Sequence, residues 1–341
     1  MSSSWIQIDA HGRMSVDDRA ATSVLAPLGD VDPLNLISIF GAARQGKSFL
    51  MNCLAGREGT FKISNDRDPC TQGIDISRTT VPLREFASMD GGAAVAPVAG
   101  ASALRVGFVD AEGQGDRDVN YDARLASPVL LMSRCVIFNW KDSLQKDRII
   151  QSLGVMVKAA ANVVEGSGGR AAGASSKKFG HLHIVFRDWV FASSDGPAGV
   201  YKQLFERERS ADHDAMVRNE VRRVLVEEAF ESVHVWLFPP PTERVDDLGK
   251  QLRPSDLSAR FRDGIKGLRA ELATQLRAPM AQFGGRALTG GTLARLAPVL
   301  VKTLNSRDVI MPVRQPCPAS RFARPVPLPS LPAPATTRAV R

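Results

Sequence analysis

Residues 34–56 read LNLISIFGAARQGKSFLMNCLAG, and the reading of this stretch decides the fold. Leu34 to Phe40 is an apolar, β-prone run, and Phe49 to Ala55 has helical composition. Between them lies Gly41-Ala42-Ala43-Arg44-Gln45-Gly46-Lys47-Ser48. Glycine, four residues, glycine, lysine and serine between a strand and a helix is the pattern of a phosphate-binding loop. Gly41 and Gly46 permit the tight turn that aims successive N–H groups at phosphate oxygens. The N-terminus of the helix that follows adds partial positive charge at that point. Lys47 is expected to reach the β- and γ-phosphates and the Ser48 hydroxyl to ligate Mg²⁺. The loop, with Phe49, is the expected cradle of a nucleotide.

Outward from the loop, the chain of 341 residues is long enough for one large α/β domain or a domain with an appendage. Hydrophobic residues make up 44% and aromatics 6%, so the expected core is mostly aliphatic. The net charge is +8, and no acidic residue follows Asp308 while several arginines do. Such a balance suits an anionic partner or a plain solvated tail, and the tail reading makes nucleic acid an unlikely ligand. Cys53, Cys70, Cys135 and Cys317 form no CxxC pair, which argues against a zinc site and for a reducing compartment. No apolar run is long enough to span a bilayer, so the expected location is cytoplasmic, with peripheral membrane contact left open.

Apolar strand-like runs at Leu104–Val109, Cys135–Trp140, His181–Phe186 and Val233–Phe238 alternate with helical periodicity. The helical stretches are Val119–Met132, Ser143–Val164, Asp212–Phe230, Leu257–Leu276 and Gly291–Leu304. That alternation predicts a doubly wound, mostly parallel sheet with helices on both faces and one antiparallel edge strand. Residues 1–33 read as a leader with one strand near Ser4–Ile8, and 34–311 as the domain. Residues 87–102 and 165–178 are small-residue loops, and 312–341 a disordered Pro/Arg-rich tail.

Asp110 closes the strand Leu104–Val109, where an open α/β sheet places ligand-facing residues, and a carboxylate there can hold Mg²⁺. Gly113, three residues on, permits a backbone N–H to meet the γ-phosphate. Thr71 lies between the two segments, where a hydroxyl could complete the Mg²⁺ shell; alone it reads as a surface turn residue. Arg187-Asp188 ends the strand HLHIVF. A carboxylate accepts both N–H donors of guanine and is left unpaired by adenine, so Asp188 is the candidate for base selection. Unaided, the pair is equally a surface ion pair.

Taken together, GAARQGKSFLMNCLAG, CTQGIDIS, VDAEGQGD and FRD resemble the GTPase domain of the guanylate-binding protein and atlastin group of dynamin-like large GTPases. The segment RNEVRRVLVEEAFESVHVWLFPPP is similar to that group's helix, strand and proline exit, and the likeness covers about Pro33 to Met311. The resemblance implies a P-loop NTPase that binds and hydrolyses GTP with Mg²⁺ and pairs through its nucleotide face. It implies that Arg44 is an internal arginine finger and that Lys47 and Ser48 hold phosphate and Mg²⁺. Thr71 matches the first switch threonine, Asp110 and Glu112 the second switch acids, and Arg187 and Asp188 the guanine-recognition pair.

The chain departs from the pattern in two places. Pro69 stands two residues before Thr71, where the family carries a serine that helps to place the attacking water, and proline offers neither hydroxyl nor N–H. A Pro/Arg-rich tail follows where the family continues into a helical bundle. Both departures keep a second reading open: a GTP-holding switch that cleaves slowly and acts through partners. A third, an ATPase, requires Asp188 not to face the base. Pro329-Ser330-Leu331-Pro332 in the tail is a PxxP core that could dock a protein partner. Arg314, Arg321, Arg324, Arg338 and Arg341 could touch an anionic surface.

Overall fold

The computed structural model describes residues 1–9, 11–63, 73–89, 104–113, 119–141, 143–165, 177–191, 196–210, 212–243, 252–282 and 286–306. Thr71, both small-residue loops for the most part, and the Pro/Arg-rich tail lie outside them. In chain order the elements are β1 (Ser2–Ile8), β2 (Met14–Val16), α1 (Asp18–Ala20), β3 (Leu34–Gly41), α2 (Lys47–Ala55), β4 (Ile74–Ser77) and β5 (Val81–Pro82). Next come α3 (Leu83–Ser88), β6 (Arg105–Ala111), α4 (Val119–Met132), β7 (Cys135–Lys141), α5 (Lys146–Glu165), β8 (Phe179–Arg187) and α6 (Gly196–Phe205). The last are α7 (His213–Arg223), β9 (Phe230–Leu237), α8 (Ala259–Gln275), β10 (Ala281–Gln282), β11 (Arg286–Ala287) and α9 (Gly290–Ser306).

One nine-stranded sheet runs in the order β2-β1-β4-β6-β3-β7-β8-β9, with β5 also on β6. Strands β6, β3, β7, β8 and β9 are parallel, and β4, β1, β2 and β5 add an antiparallel side. The mixed α/β fold agrees with the sequence reading, but its antiparallel side is deeper than one strand. The first residues supply much of it, since Ser2–Ile6 pairs with Ile74–Ser77. The alternating run Ile74–Phe86 forms β4 and β5 and then turns into the short helix α3.

All eight residues of β3 are buried, as a central parallel strand covered by helices on both faces requires. Alternation divides them. Leu34, Leu36 and Phe40 join a core with residues of α4, α5 and α9, while Ile37 and Ile39 join one with α2 and α8. Asn35 is polar within this strand because its amide bridges to the far end of α8. Its Nδ2 donates to the carbonyls of Leu276 (2.8 Å) and Ala278 (3.0 Å), and its Oδ1 accepts from Met280 N–H.

A buried histidine lies at the same level of β8 and β9. His183 Nδ1 accepts from the Trp236 indole (3.0 Å), so Nε2 carries the proton and donates to Gln275 Oε1 (2.7 Å). Burial pushes His183 down to about 3; His181 falls to about 4 through burial and the nearby Arg134. Unfolded histidines bind protons near their ordinary value of 6.5, so acidification below it favours the unfolded chain. The stabilisation is complete above pH 6.5 and is lost progressively as pH falls towards the folded values. From His183 alone the loss at pH 5 is about 2 kcal/mol. The melting temperature is therefore expected to drop between pH 7 and pH 5, and His183→Gln to shrink that drop; a melting temperature that holds or rises over this interval contradicts the assignment.

Candidate functional site

Strand β3 lies between β6 and β7, so successive connections leave it to opposite sides, and a crevice opens at its carboxyl end. The loop after Gly41 sits in that crevice. Gly41 has φ 139° and faces β7 so closely that an added Cβ would stand 2.1 Å from the Asn139 carbonyl oxygen. No other residue fits there. Gly46 (φ 71°) turns the chain into α2, and Arg44 between them also has positive φ, 60°, with an exposed side chain. At its far end α2 stops at Gly56, whose left-handed conformation returns its N–H to the carbonyls of Asn52 and Cys53. Buried Arg269 of α8 donates to the carbonyls of Cys53 (2.7 Å) and Leu54 (3.3 Å), placing a cation at the negative end of the helix. The helix is thus anchored at its back while its front faces the crevice.

At that front, Lys47 is buried and its Nζ donates to Ala42 O at 3.0 Å, spanning the loop it belongs to. Ser48 Oγ donates to Asp110 Oδ2 at 2.5 Å, and Asp110 is fully buried at the end of β6. The structure thus brings together two of the three oxygen ligands that the sequence assigns to Mg²⁺, across 62 residues of chain; the third, Thr71, lies outside the described residues. Hard oxygen donors beside a phosphate cradle fit Mg²⁺, which keeps its waters and phosphate ligands rather than a full protein cage. No cluster of three or more His, Cys, Asp or Glu is poised for a metal among the described residues.

Gly113 follows on the same side. A Cβ there would stand 2.1 Å from Ala43 Cα, so the glycine is what lets the segment after β6 lie against the phosphate loop. Glu112, expected as a switch acid, is buried and clasped. Its Oε2 accepts from Gly73 N–H (2.8 Å) and from the Tyr121 hydroxyl (2.5 Å), while its own N–H donates to Gly73 O (2.7 Å). Gly73 lies two residues past Thr71, so this pair of hydrogen bonds ties the segment after Thr71 to the end of β6.

The Arg187-Asp188 pair separates. Arg187 turns inward: its guanidinium sits 5.6 Å from the Phe49 ring and 5.2 Å from that of Phe261, and Nη1 donates to Gly46 O at 3.2 Å. Burial holds it below the ordinary arginine value, with the neighbouring Asp188 charge opposing the shift. It is a strut behind the phosphate loop. Asp188 turns to the rim, with φ 55° and its Oδ2 3.1 Å from Lys141 Nζ at the end of β7. Lys141 N–H donates to Gln45 Oε1 (2.9 Å) and Asn139 Nδ2 to Gln45 O (2.9 Å), so β7 also grips the loop.

These features form a phosphate loop of stated sequence, at the switch point of a sheet of stated topology. The family description "Guanylate-binding protein, N-terminal domain" matches residues 12–276. The chain belongs to the guanylate-binding protein family. No curated protein matches it. In this GTPase-domain family GTP binding and hydrolysis are the implied activity. No helix among the described residues is long and apolar enough to cross a membrane. Lys141, Gln45 as a clamp, Asn139 and Tyr121 were not expected as site residues beyond the loop position of Gln45. The one signal for them was Asn139, a polar residue in the apolar run Cys135–Trp140 at the register of Gly41.

Proposed function

We propose that this guanylate-binding protein family domain binds GTP with Mg²⁺ and hydrolyses it, pairing through its nucleotide face. The observation that carries the reading is the meeting of Ser48 and Asp110 at the N-terminus of α2, beside Lys47. Lys47 and the loop amides hold the phosphates, and the purine is chosen at Asp188. Ser48 and Asp110, with Thr71, would hold the Mg²⁺, which would supply positive charge to the phosphates. Arg44, exposed on the loop, turns toward the transferring phosphoryl group when two domains pair. Gly113, packed against Ala43 of the loop, offers its N–H to the γ-phosphate.

One observation favours the slower, switch-like reading. The Glu112 carboxylate is already engaged by Gly73 and Tyr121, and Pro69 offers no group to orient a water. The two readings share a first test, nucleotide titration followed by phosphate release. GTP is expected to bind at least tenfold more tightly than ATP, and release of phosphate to accelerate with protein concentration. Equal affinity for ATP overturns the guanine reading; a slow rate independent of concentration selects the switch.

A further inference from the structure

Asp188 and Lys141 do more than make an ion pair at the surface. An exposed pair of this kind contributes little by itself. Here the carboxylate is carried on a backbone at φ 55°, which is unfavourable for a non-glycine residue. Its Oδ1 is buried with no hydrogen-bond partner among the described residues, a further cost. A decorative salt bridge does not offset that. A ligand with two donors does.

Along the pair the groups run Lys141 Nζ, Asp188 Oδ2 and the enclosed Asp188 Oδ1: donor, acceptor, acceptor. The guanine edge presents O6, N1–H and the 2-amino group: acceptor, donor, donor. Adenine presents a donor at position 6 and an acceptor at N1, the opposite sense. The pair is also held in fixed relation to the phosphate loop. Lys141 and Asn139 bind Gln45, and Arg187, next to Asp188, binds Gly46. A base bound at the rim and phosphates bound in the loop therefore meet a preorganised span.

We propose that Lys141 is a specificity residue of the nucleotide site, its ammonium donating to O6 of guanine while Asp188 accepts from N1–H and the 2-amino group. The inference rests on the proposed guanine-nucleotide reading and deepens it. The sequence alone points only to Asp188, because Lys141 lies on a neighbouring strand 47 residues earlier; β7 and β8 pair in register at Lys141 and Arg187.

The test is titration of the full chain and of Lys141→Met with GDP, IDP and 6-thio-GDP. IDP lacks the 2-amino group, and 6-thio-GDP replaces O6 by a poorer acceptor. Methionine keeps the length of the stem and removes the donor, and the main-chain bond of residue 141 to Gln45 survives. For the parent chain, GDP is expected to bind on the order of tenfold more tightly than either analogue, the range of a charge-assisted hydrogen bond. In Lys141→Met the 6-thio penalty is expected to fall within about twofold while the IDP penalty stays. Lys141→Arg, which restores a donor, should recover the 6-thio penalty. A variant that keeps the full 6-thio penalty overturns the proposal. So does one in which both penalties collapse together, since Lys141 would then only hold the carboxylate in place. A parent chain that binds no GDP at all overturns the guanine reading itself, a different result from bound GDP with Lys141 indifferent.

Discussion

Lys47→Ala is expected to lower affinity for GTP by at least a hundredfold, with the chain still folded. The lysine is buried at the base of the loop, and its ammonium spans back to Ala42 O. Removing it takes away the positive charge nearest the β- and γ-phosphates, and with it two or more charge-assisted hydrogen bonds of about 1.5–3 kcal/mol each. It also removes the crosspiece that sets the width of the loop. Alanine is a good helix former at the first residue of α2, so the fold should survive within a few degrees of melting temperature. The measurement is fluorescence or calorimetric titration with GTP and GDP in the presence of Mg²⁺, alongside a thermal melt. Retained affinity in the folded variant would show that the loop does not hold phosphate through this residue, and the functional reading would fail at its root.

How much of this was legible in the sequence depends on how far apart the cooperating residues lie. The phosphate loop is local: every residue it needs stands within a single strand-turn-helix, so spacing alone specified it. The sheet was legible wherever burial on both faces leaves an uninterrupted apolar run, as in β3, β7 and β8. Helix α6 was not, because Gly196-Pro197 at its start reads as a breaker although proline is well tolerated in a first turn. Three contacts of the tertiary fold left no trace. Tyr121 on Glu112, Arg269 on the end of α2 and Lys141 on Asp188 follow no periodicity, since each partner is chosen by the fold. Arg187-Asp188 shows the limit of reading neighbours as a unit. Arg187, the last residue of β8, enters the core between Phe49 and Phe261, while Asp188, just past the strand in a left-handed turn, takes the rim.

The same distinction governs Arg44. Three neighbours of the loop are fixed from outside it: Gln45 by β7, Gly46 by Arg187, and Ala43 by the close approach of Gly113. Arg44 stands among them with an exposed side chain and a left-handed backbone, φ 60°, so its side chain projects from a rigid base. The side chain is exposed, and Arg44→Ala is expected to leave the chain folded and its GTP affinity nearly unchanged. Turnover should nevertheless fall at least tenfold, and by about 10³ if the arginine meets the transferring phosphoryl group as fingers do. Arg44→Gly separates the two contributions. Glycine relieves the positive φ, so any stability gain will appear in that variant, while its turnover should match that of alanine. Phosphate release measured over a range of protein concentrations adds the remaining check, since a finger that acts on pairing makes the parent's rate per molecule rise with concentration and leaves the variants flat. If Arg44→Ala hydrolyses GTP at the parent rate, the charge that stabilises the leaving phosphate comes from elsewhere, and the exposed arginine is a passenger on a loop built for binding alone.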